Sequence, residues 1–282
     1  MMNLLSAGFF RLWRSKSFWV SLAVMAIVGA IEPLFGYAAM AELAANGSMD
    51  ASVSLDSRYI IFPFLSGILS SAFCALFVGA GHSDGGIRSK LAAGHRRAVV
   101  YLSELILCVT AGALLCLGYI AAVLATGIPL LGPMRTPLLT VLWYTLCAVI
   151  MTTAITALFT TISILCHNKA VAAVACIFLA YFLLFLGIFL NARLAEPEFY
   201  PAHQSIEDGQ IVTVEARPNP GYIRGMKRAV YQFLFDLPGC QAVQLSVTMT
   251  TGVPPRLPLW SLASMTMFAG LGVALFRKKD LK

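Results

Sequence analysis

Six long apolar runs constrain this chain more than any other feature. A helix that crosses the hydrocarbon core of a bilayer needs about 20 mostly apolar residues. A lone apolar strand could not satisfy its backbone in lipid, and a membrane barrel would show alternating polarity, so all six runs are predicted to be helices. The runs cover residues 18–37, 59–81, 99–127, 138–166, 170–190 and 258–276. We therefore expect an all-α polytopic membrane protein with one transmembrane domain over residues 1–282.

The composition supports a membrane protein and argues against a nucleic-acid-binding protein. Hydrophobic residues make up 59% of the chain and charged residues only 12%, which is more apolar than a soluble core requires. The lipid bilayer is therefore an expected partner. The net charge of +7 does not indicate nucleic-acid binding, because no basic stripe interleaved with aromatic residues occurs outside the membrane flanks.

The distribution of charge predicts the orientation in the membrane. Lysine and arginine concentrate in the N-terminal tail, in the loop 82–98, at Lys169 and in the C-terminal tail. Because short cytoplasmic loops carry an excess of cations, we expect both termini in the cytoplasm and the long loop 191–257 outside. The alternative is a signal peptide cleaved near residues 39–41, which would leave five spans. We favour an uncleaved first span because the apolar run is longer than a typical signal core.

Two segments outside the spans show amphipathic patterns. Leu5, Phe9, Leu12 and Trp13 share one helical face, which predicts a helix on the inner membrane surface, with a plain positive flank as the alternative. In the external loop, Asp208-Gly209 predicts a small hairpin between residues 205–206 and 211–214. Apolar residues then recur at helical spacing from residue 223 to 237, which predicts a helix on the outer surface or against the spans; a solvated loop with one short helix is the alternative.

Sequence motifs for catalysis, metal binding and ATP binding are missing. The four histidines are scattered, and no carboxylate lies at a metal-ligand spacing. No CxxC pair occurs, and Cys240 is the one cysteine in an external loop, so we expect an externally reachable thiol and neither zinc nor a disulfide. The neighbours Cys166 and His167 would point in different directions on a helix. Gly81 and Gly86 have a Walker-like spacing without the required Lys and Ser/Thr. We expect no cofactor, no metal and no enzymatic activity of this chain by itself.

The spans contain few ionisable groups. Glu32 lies near the outer end of the first span and Glu104 near the inner start of the third, and neither is at the midplane. We expect Glu32 to face an outer vestibule or to mark a kink with Pro33, and Glu104 to cap the start of its helix. Ion-driven carriers need ionisable groups at mid-membrane, so this mechanism is disfavoured.

Hydroxyl groups form a stripe on the fourth span. These hydroxyl groups lie on one face of the predicted helix. On the second span, Ser66, Ser70 and Cys74 repeat at four-residue spacing. Small and hydroxyl residues let spans approach closely and hydrogen-bond, so we favour helix packing over a substrate path, which stays open. The members of the stripe are Thr152, Thr156, Thr160 and Ser163.

The loop 82–98 has the most distinctive sequence. Its run Asp84-Gly-Gly-Ile-Arg-Ser-Lys-Leu91, with Gly94-His-Arg-Arg97 and Tyr101-Leu-Ser103 after it, resembles the first cytoplasmic loop of ABC-2-type permeases, the membrane subunits of bacterial ATP-binding cassette transporters. That loop often reads Asp-Gly-Thr-Ile-Arg-Asn-Lys, so Gly86 replaces a Thr and Ser89 an Asn. Six spans, a long outer loop before the last span and a basic tail match the family by layout.

The resemblance implies partners and a role for the loop. Such permeases pair as homo- or heterodimers in the bacterial cytoplasmic membrane, and the loop forms a coupling helix that docks on a separate ATP-binding cassette ATPase subunit. The planar guanidinium group of an arginine can bind a carboxylate through two hydrogen bonds. Ile87 and Leu91, four residues apart on a helix, would form an apolar ridge. The implied contact residues are Ile87, Arg88, Lys90, Leu91, Gly94 and Arg97.

The expected function is export of a hydrophobic or amphipathic substrate, such as a peptide, a lipid-like molecule or a drug, driven by ATP hydrolysed in the separate subunit. The alternative is a non-transporting membrane binding or immunity protein that sequesters a peptide or lipid. Such a protein would not need so ordered a cytoplasmic loop. An intramembrane enzyme is disfavoured because paired catalytic residues are missing from the sequence.

Overall fold

The structure is a computed structural model that describes residues 1–46, 53–166, 168–201, 203–207 and 210–279. These residues are mainly helical, and six helical segments are long and apolar enough to cross a membrane. The prediction of an all-α polytopic membrane protein is therefore confirmed. In chain order the helices are α1 (Met2–Arg14), α2 (Lys16–Ala45), α3 (Leu55–Tyr59), α4 (Phe62–Ser83), α5 (Gly86–Ala92), α6 (Arg97–Leu131), α7 (Leu138–Leu165), α8 (Lys169–Ala195), α9 (Gly225–Phe235), α10 (Gln241–Thr248) and α11 (Arg256–Lys278).

The spans coincide with the six predicted runs, and most extend beyond them. The first predicted run, 18–37, lies inside α2, and the third, 99–127, lies inside α6. The backbone stays helical past the end of the apolar stretch, because helical hydrogen bonds remain the simplest way to satisfy N–H and C=O groups near lipid. The second span is preceded by α3, and α4 begins with Pro63 in its first turn, where proline's missing N–H costs nothing.

The spans pack through small residues at close approaches. α2 lies along α6, and a Cβ on Gly29 would come within 2.7 Å of the carbonyl oxygen of Tyr119. α4 packs against α7 and α8, and α11 against α7 and α6. Close backbone approach at glycine is the usual way in which membrane helices gain packing, since lipid supplies no hydrophobic drive between them.

α1 and the end of α11 lie at the same end of the bundle, together with α5. Arg97, the first residue of α6, donates hydrogen bonds to the carbonyl groups of Arg277 and Lys279 at the end of α11. The ammonium of Lys279 donates to the carbonyl of Ile164 at the end of α7 at 3.0 Å, and burial lowers the pKa of this lysine. We call this end of the bundle, formed by α1, α5, the start of α6 and the end of α11, the basic end. The charge pattern predicts that it faces the cytoplasm.

Large apolar side chains cover the outside of the bundle. α8 exposes Phe178, Phe182, Phe185 and Phe189, and α2 exposes Phe35, among many others. Patches of this size are unusual on a soluble monomer. They are what a bilayer requires, so the burial pattern supports the multi-pass membrane assignment.

α1 is the predicted amphipathic helix, although its buried face differs slightly from the expected one. Leu4, Gly8 and Leu12 are buried, largely against α6, whereas Phe10 and Trp13 are exposed. The predicted face placed Trp13 with Leu12. The narrower stripe of Leu4, Gly8 and Leu12 packs against the bundle. The rings of Phe10 and Trp13 stay outside this contact, where aromatic side chains suit a membrane interface.

In the described residues between α8 and α11 there are two short antiparallel strand pairs and two helices. The predicted hairpin is confirmed by the pairing of β2 (His203–Glu207) with β3 (Gln210–Val214), in register at Ile206 and Ile211. Asp208-Gly209, on which its turn was predicted, lies outside the described residues. The predicted amphipathic helix is also confirmed, as α9. The strands are β1 (Phe199–Tyr200), β2 (His203–Glu207), β3 (Gln210–Val214) and β4 (Arg217–Pro218), with β1 paired to β4.

After α9 the chain returns into the bundle, which the sequence did not predict. α10 packs against α4, α7 and α8, and Leu245 and the preceding Cys240 are fully buried. The expectation of an externally reachable thiol at Cys240 is therefore wrong. Its Sγ donates to the carbonyl of Leu183 at 3.2 Å, and burial raises the pKa of this thiol to about 12.

Candidate coupling surface at the basic end

Two glycines in left-handed conformations delimit α5. Gly85 precedes the helix with φ +70°, and Gly94 follows it with φ +84°. At the C-terminal end the N–H of His95 bonds to the carbonyl of Lys90 at 3.3 Å, and the N–H of Gly94 bonds to that of Leu91 at 3.0 Å. This pair of bonds is a Schellman motif, which favours glycine at the left-handed position. The sequence therefore specifies where this short helix stops.

A buried carboxylate holds α5 in place. Glu104 lies on α6 with a fully buried side chain, and its Oε1 accepts a hydrogen bond of 2.6 Å from Nζ of Lys90 on α5. Its other oxygen accepts from Nη2 of Arg11 on α1. Taking a carboxylate out of water is costly unless it is paired and hydrogen-bonded. The two cations meet that requirement and join three helices through one side chain.

Arg11 is positioned by the second span. Its guanidinium lies over the ring of Phe77, 4.1 Å from the centroid, a distance at which a cation is attracted by the ring face. A Cβ on Gly81 would come within 3.0 Å of Arg11 Nη1, so the glycine makes room for the guanidinium. The cluster of Arg11, Lys90 and Glu104 is called the triad below.

The triad corrects one expectation. Glu104 does not cap a helix start, because α6 begins at Arg97 and has Arg96 as its N-cap residue. A signal was available in the sequence: a lone carboxylate in the first turns of a span, with cations in the preceding loop and in the leader. Charges inside a span usually pair with one another. Arg11 lies far away in sequence, so pattern reasoning could not choose it as the partner.

The six residues that the resemblance implied as contacts divide between the inner and outer faces of the loop. Ile87 is buried, Lys90 belongs to the triad, and Arg97 bonds to the end of α11. Arg88 and Gly94 are exposed, and Leu91 is partly exposed. The expected Ile87–Leu91 ridge does not face outward, because Ile87 packs into the hydrophobic core. The outward-facing members of the set are thus Arg88, Leu91 and Gly94.

A basic concavity of about 540 Å³ opens beside these residues. Planar guanidinium groups can bind carboxylates through two parallel hydrogen bonds, and a leucine among them supplies apolar contact. The arrangement suits an acidic, partly apolar protein surface better than a small neutral ligand. The residues that line the concavity are Arg88, Leu91, His95, Arg96 and Arg97.

The hydroxyl stripe on α7 is fully buried. Thr156 and Thr160 each donate to the carbonyl four residues earlier, at 2.6 and 2.8 Å. The hydroxyls of Thr152 and Ser66 lie 2.9 Å apart, and that of Ser163 lies 3.5 Å from Sγ of Cys176. These contacts place the stripe between α7 and its neighbours α4 and α8. The geometry supports the packing interpretation.

At the end of the bundle opposite the basic end, another acidic residue of the spans, Glu32, is paired. Glu32 lies 3.6 Å from Nη1 of Arg58, and the hydroxyl of Tyr119 donates to the Arg58 carbonyl at 2.9 Å. Asp56 accepts hydrogen bonds of 3.0 and 3.1 Å from the backbone N–H groups of Arg135 and Thr136. These contacts tie the second span to the loop between α6 and α7. They are structural links and do not form a mid-membrane ion site.

Candidate metal and catalytic groups do not come together in the part of the chain that the structure describes. No group of three His, Cys, Asp or Glu side chains there could hold a metal ion. Cys166 is partly exposed. His167, which was not expected to act with it, lies outside the described residues. Comparison with models of known protein families and with curated proteins finds no match for this chain.

Proposed function

We propose that the chain is the membrane-spanning permease subunit of an ABC-2-type ATP-binding cassette transporter. The observation that carries this proposal is the arrangement of α5. Its inner face is fixed by Lys90 to the buried Glu104, while its outer face presents Arg88 beside a basic concavity. A short helix anchored on one side and open on the other is suited to receive a partner and to pass its movement on. The loop sequence that resembles the family lies on this helix.

In the proposed mechanism an ATPase subunit binds at the concavity and moves when it binds and hydrolyses ATP. Arg88 and Arg96 attract its carboxylates, and Leu91 supplies apolar contact. Because Lys90 joins α5 to Glu104 on α6, displacement of α5 pulls directly on a span. Arg11 takes the same movement to α1. Coupling of this kind travels through packed and hydrogen-bonded elements.

The proposal includes the remaining partners and the cargo. Extensive apolar faces on α2, α8 and α11 leave room both for lipid and for a second permease subunit, identical or not. We propose that the complex lies in a bacterial cytoplasmic membrane and exports a hydrophobic or amphipathic substrate such as a peptide, a lipid-like molecule or a drug. The resemblance of the loop supports the choice of membrane.

The first test is genetic. A reading frame that encodes an ATP-binding cassette ATPase is expected beside the one that encodes this chain. The two proteins are then co-expressed, and the ATPase is co-purified on a tag placed on this chain. We expect the double variant Arg88→Glu, Leu91→Asp to lower the recovered ATPase at least about tenfold, since loss of one partner of a buried charge pair costs about 2–5 kcal/mol. Insertion should be unchanged, because the other loop cations keep the orientation.

The matched control is Arg217→Glu, the same charge reversal at an exposed position in β4, away from the basic end. It should leave the recovered ATPase unchanged. Equal recovery with the double variant and with the wild type would overturn the docking assignment and favour the non-transporting binding or immunity protein. Loss of recovery in the control as well would show that net charge, and not α5, governs the association.

A further inference from the structure

A second groove at the basic end has different chemistry from the coupling concavity. It has a volume of about 450 Å³, within the roughly 300–1,000 Å³ that small-molecule sites occupy. It lies where α1, the start of α2 and the end of α4 meet. The lining residues include Phe10, Arg11, Arg14, Ser15, Ser17, Phe77 and Asp84.

The groove is placed at the level of the membrane surface. It is bounded by α1, the amphipathic helix, and by the ends of two spans, α2 and α4. Two half-exposed tryptophans mark the same level: Trp13 on α1 and Trp19 on α2, whose indole N–H donates to the Trp13 carbonyl at 2.7 Å. Tryptophan prefers the boundary between headgroups and hydrocarbon. A molecule in this groove therefore meets the headgroup layer on one side and hydrocarbon on the other.

The polar lining carries charges of both signs. Arg14 is exposed and lies over the ring of Phe10, 4.6 Å from the centroid. Arg11 is shared with Glu104, and its Nε is buried without a hydrogen-bond partner. The hydroxyls of Ser15 and Ser17 lie 2.7 Å apart and can donate to an anionic oxygen. Asp84 is the carboxylate of the groove, and it is exposed.

We propose that this groove binds the headgroup of a phospholipid that carries a primary ammonium, such as phosphatidylethanolamine. The phosphate takes the place opposite Arg14 and Arg11, where guanidinium groups and serine hydroxyls donate hydrogen bonds. The ammonium is paired with Asp84. The glycerol and the first acyl carbons lie along the exposed ring of Phe10. Asp84 gives the groove a partner for the ammonium, which an anionic headgroup without an amine would leave unpaired.

Bound there, the lipid touches Arg11 of the triad. Its phosphate adds a second anion beside a guanidinium that Glu104 holds from the other side. Occupancy of the groove is thus linked to the position of α1 and, through Glu104, to α5. This proposal stands independently of the permease assignment, because it needs only the groove and the bilayer.

Native mass spectrometry of the purified full-length chain tests the proposal. The protein in mild detergent is titrated with phosphatidylethanolamine, phosphatidylcholine and phosphatidylglycerol of the same acyl chains. We expect phosphatidylethanolamine to bind at least about tenfold more tightly than phosphatidylcholine, because a quaternary ammonium cannot donate a hydrogen bond to Asp84, and a charged hydrogen bond contributes about that factor. Phosphatidylglycerol, which lacks the ammonium, is expected to bind weakly as well.

Two variants separate the two halves of the headgroup. Arg14→Gln should weaken all three lipids by about tenfold or more, since each has the phosphate. Asp84→Asn should remove the preference for phosphatidylethanolamine and leave phosphatidylglycerol binding equal to or tighter than in the wild type. The control Lys278→Gln removes an exposed cation at the basic end that does not line the groove. It should change no affinity, and the unfolding temperature of each variant is measured alongside.

Three outcomes would overturn the proposal. Equal affinity of the wild type for the three lipids would show that the groove does not select a headgroup. Equal weakening by Arg14→Gln and Lys278→Gln would show general charge attraction in place of a site. Displacement of bound lipid by inorganic phosphate alone would show that a free anion occupies the groove. If Asp84→Asn does not fold, the comparison of the three lipids on the wild type and on Arg14→Gln decides the matter.

Discussion

Nζ of Lys90 lies 2.6 Å from Oε1 of Glu104, so the short helix α5 is joined to the buried side of a membrane span. The same carboxylate accepts from Arg11 on α1. One carboxylate facing two cations leaves a net positive charge at the junction, which is stable because both cations remain partly exposed to solvent. α5 cannot move without carrying α6 along or breaking this contact. The triad is therefore a side-chain link between the loop and the spans, in addition to the backbone connections of α5 to α4 and α6.

The first prediction concerns the charge of the triad. Glu104→Gln keeps the shape of the side chain and leaves Arg11 and Lys90 facing each other without a carboxylate. Breaking a buried ion pair costs about 3–5 kcal/mol, and we expect less here because both cations can turn toward water. The unfolding temperature in detergent should fall, and amide hydrogen exchange over residues 86–92 should become faster.

The control for this prediction is Glu42→Gln, which removes an exposed carboxylate near the end of α2 and should change neither measurement. Lys90→Met in the Glu104→Gln background completes a double-mutant cycle, in which the two changes should be strongly non-additive. Additive effects would mean that Lys90 and Glu104 do not act as a pair, and the triad would lose its assigned role.

The second prediction concerns the hydroxyl stripe. The structure places Thr156 between helices with its hydroxyl bonded to the backbone, so Thr156→Val with Thr160→Val should lower the free energy of unfolding by about 1 kcal/mol or less. A cysteine at residue 156 should not react with water-soluble thiol reagents in the folded protein. Rapid labelling of Thr156→Cys, compared with the exposed control Arg217→Cys, would instead support a water-filled path.

The spans could be predicted from the sequence because local patterns specify them, whereas the short helix α5 was expected only from the family resemblance of its loop. Each span is a continuous apolar run that only a helix can satisfy in lipid. For α5, Gly85 and Gly94 provide the left-handed positions at its two ends. The hairpin of β2 and β3 was predicted for the same reason, since turn residues separate two β-prone runs. In each case the information lies within a few consecutive residues.

The triad and the return of α10 into the bundle could not be predicted, because they depend on contacts between distant residues. Arg11 and Glu104 are 93 positions apart, and either could have paired with another charge. Cys240 follows Pro238-Gly239, which resembles the end of a surface helix. Its burial depends on the space that Gly187 leaves on α8. The residues around position 240 carry no sequence pattern that indicates this contact.

The third prediction follows from the burial of Cys240. A membrane-impermeant maleimide applied to intact cells should leave the wild type unlabelled and should label Arg217→Cys. Raising the pH from about 7 to about 9 should speed labelling of the introduced cysteine, because an exposed thiol has a pKa near 8.5 and only the thiolate reacts. Burial raises the pKa of Cys240 to about 12, so only about one thiol in a thousand is ionised even at pH 9, and the reagent cannot reach the fully buried side chain. Its labelling should therefore stay far below that of the introduced cysteine at both pH values.

The outcome that would contradict this prediction is labelling of the wild type that disappears in Cys240→Ser. It would mean that the segment around α10 opens to solvent. Absence of labelling in Arg217→Cys would contradict the predicted orientation instead, because β4 would then face the inside of the cell. The two failures are therefore distinguishable.

The fourth prediction tests the contact that buries α10. A Cβ on Gly187 would come within 3.0 Å of both Cα and the carbonyl oxygen of Cys240, so Gly187→Ala must push backbone apart. Overpacking of this kind costs about 1–3 kcal/mol. It should lower the unfolding temperature and make Cys240, which is unreactive in the wild type, react slowly with the thiol reagent. The control is Gly270→Ala on α11, where an added Cβ meets nothing within 4 Å. It should be neutral or slightly stabilising, because alanine is the better helix former. Equal stability of the two variants, with Cys240 still unreactive, would mean that α10 is held in the bundle by contacts other than its approach to α8.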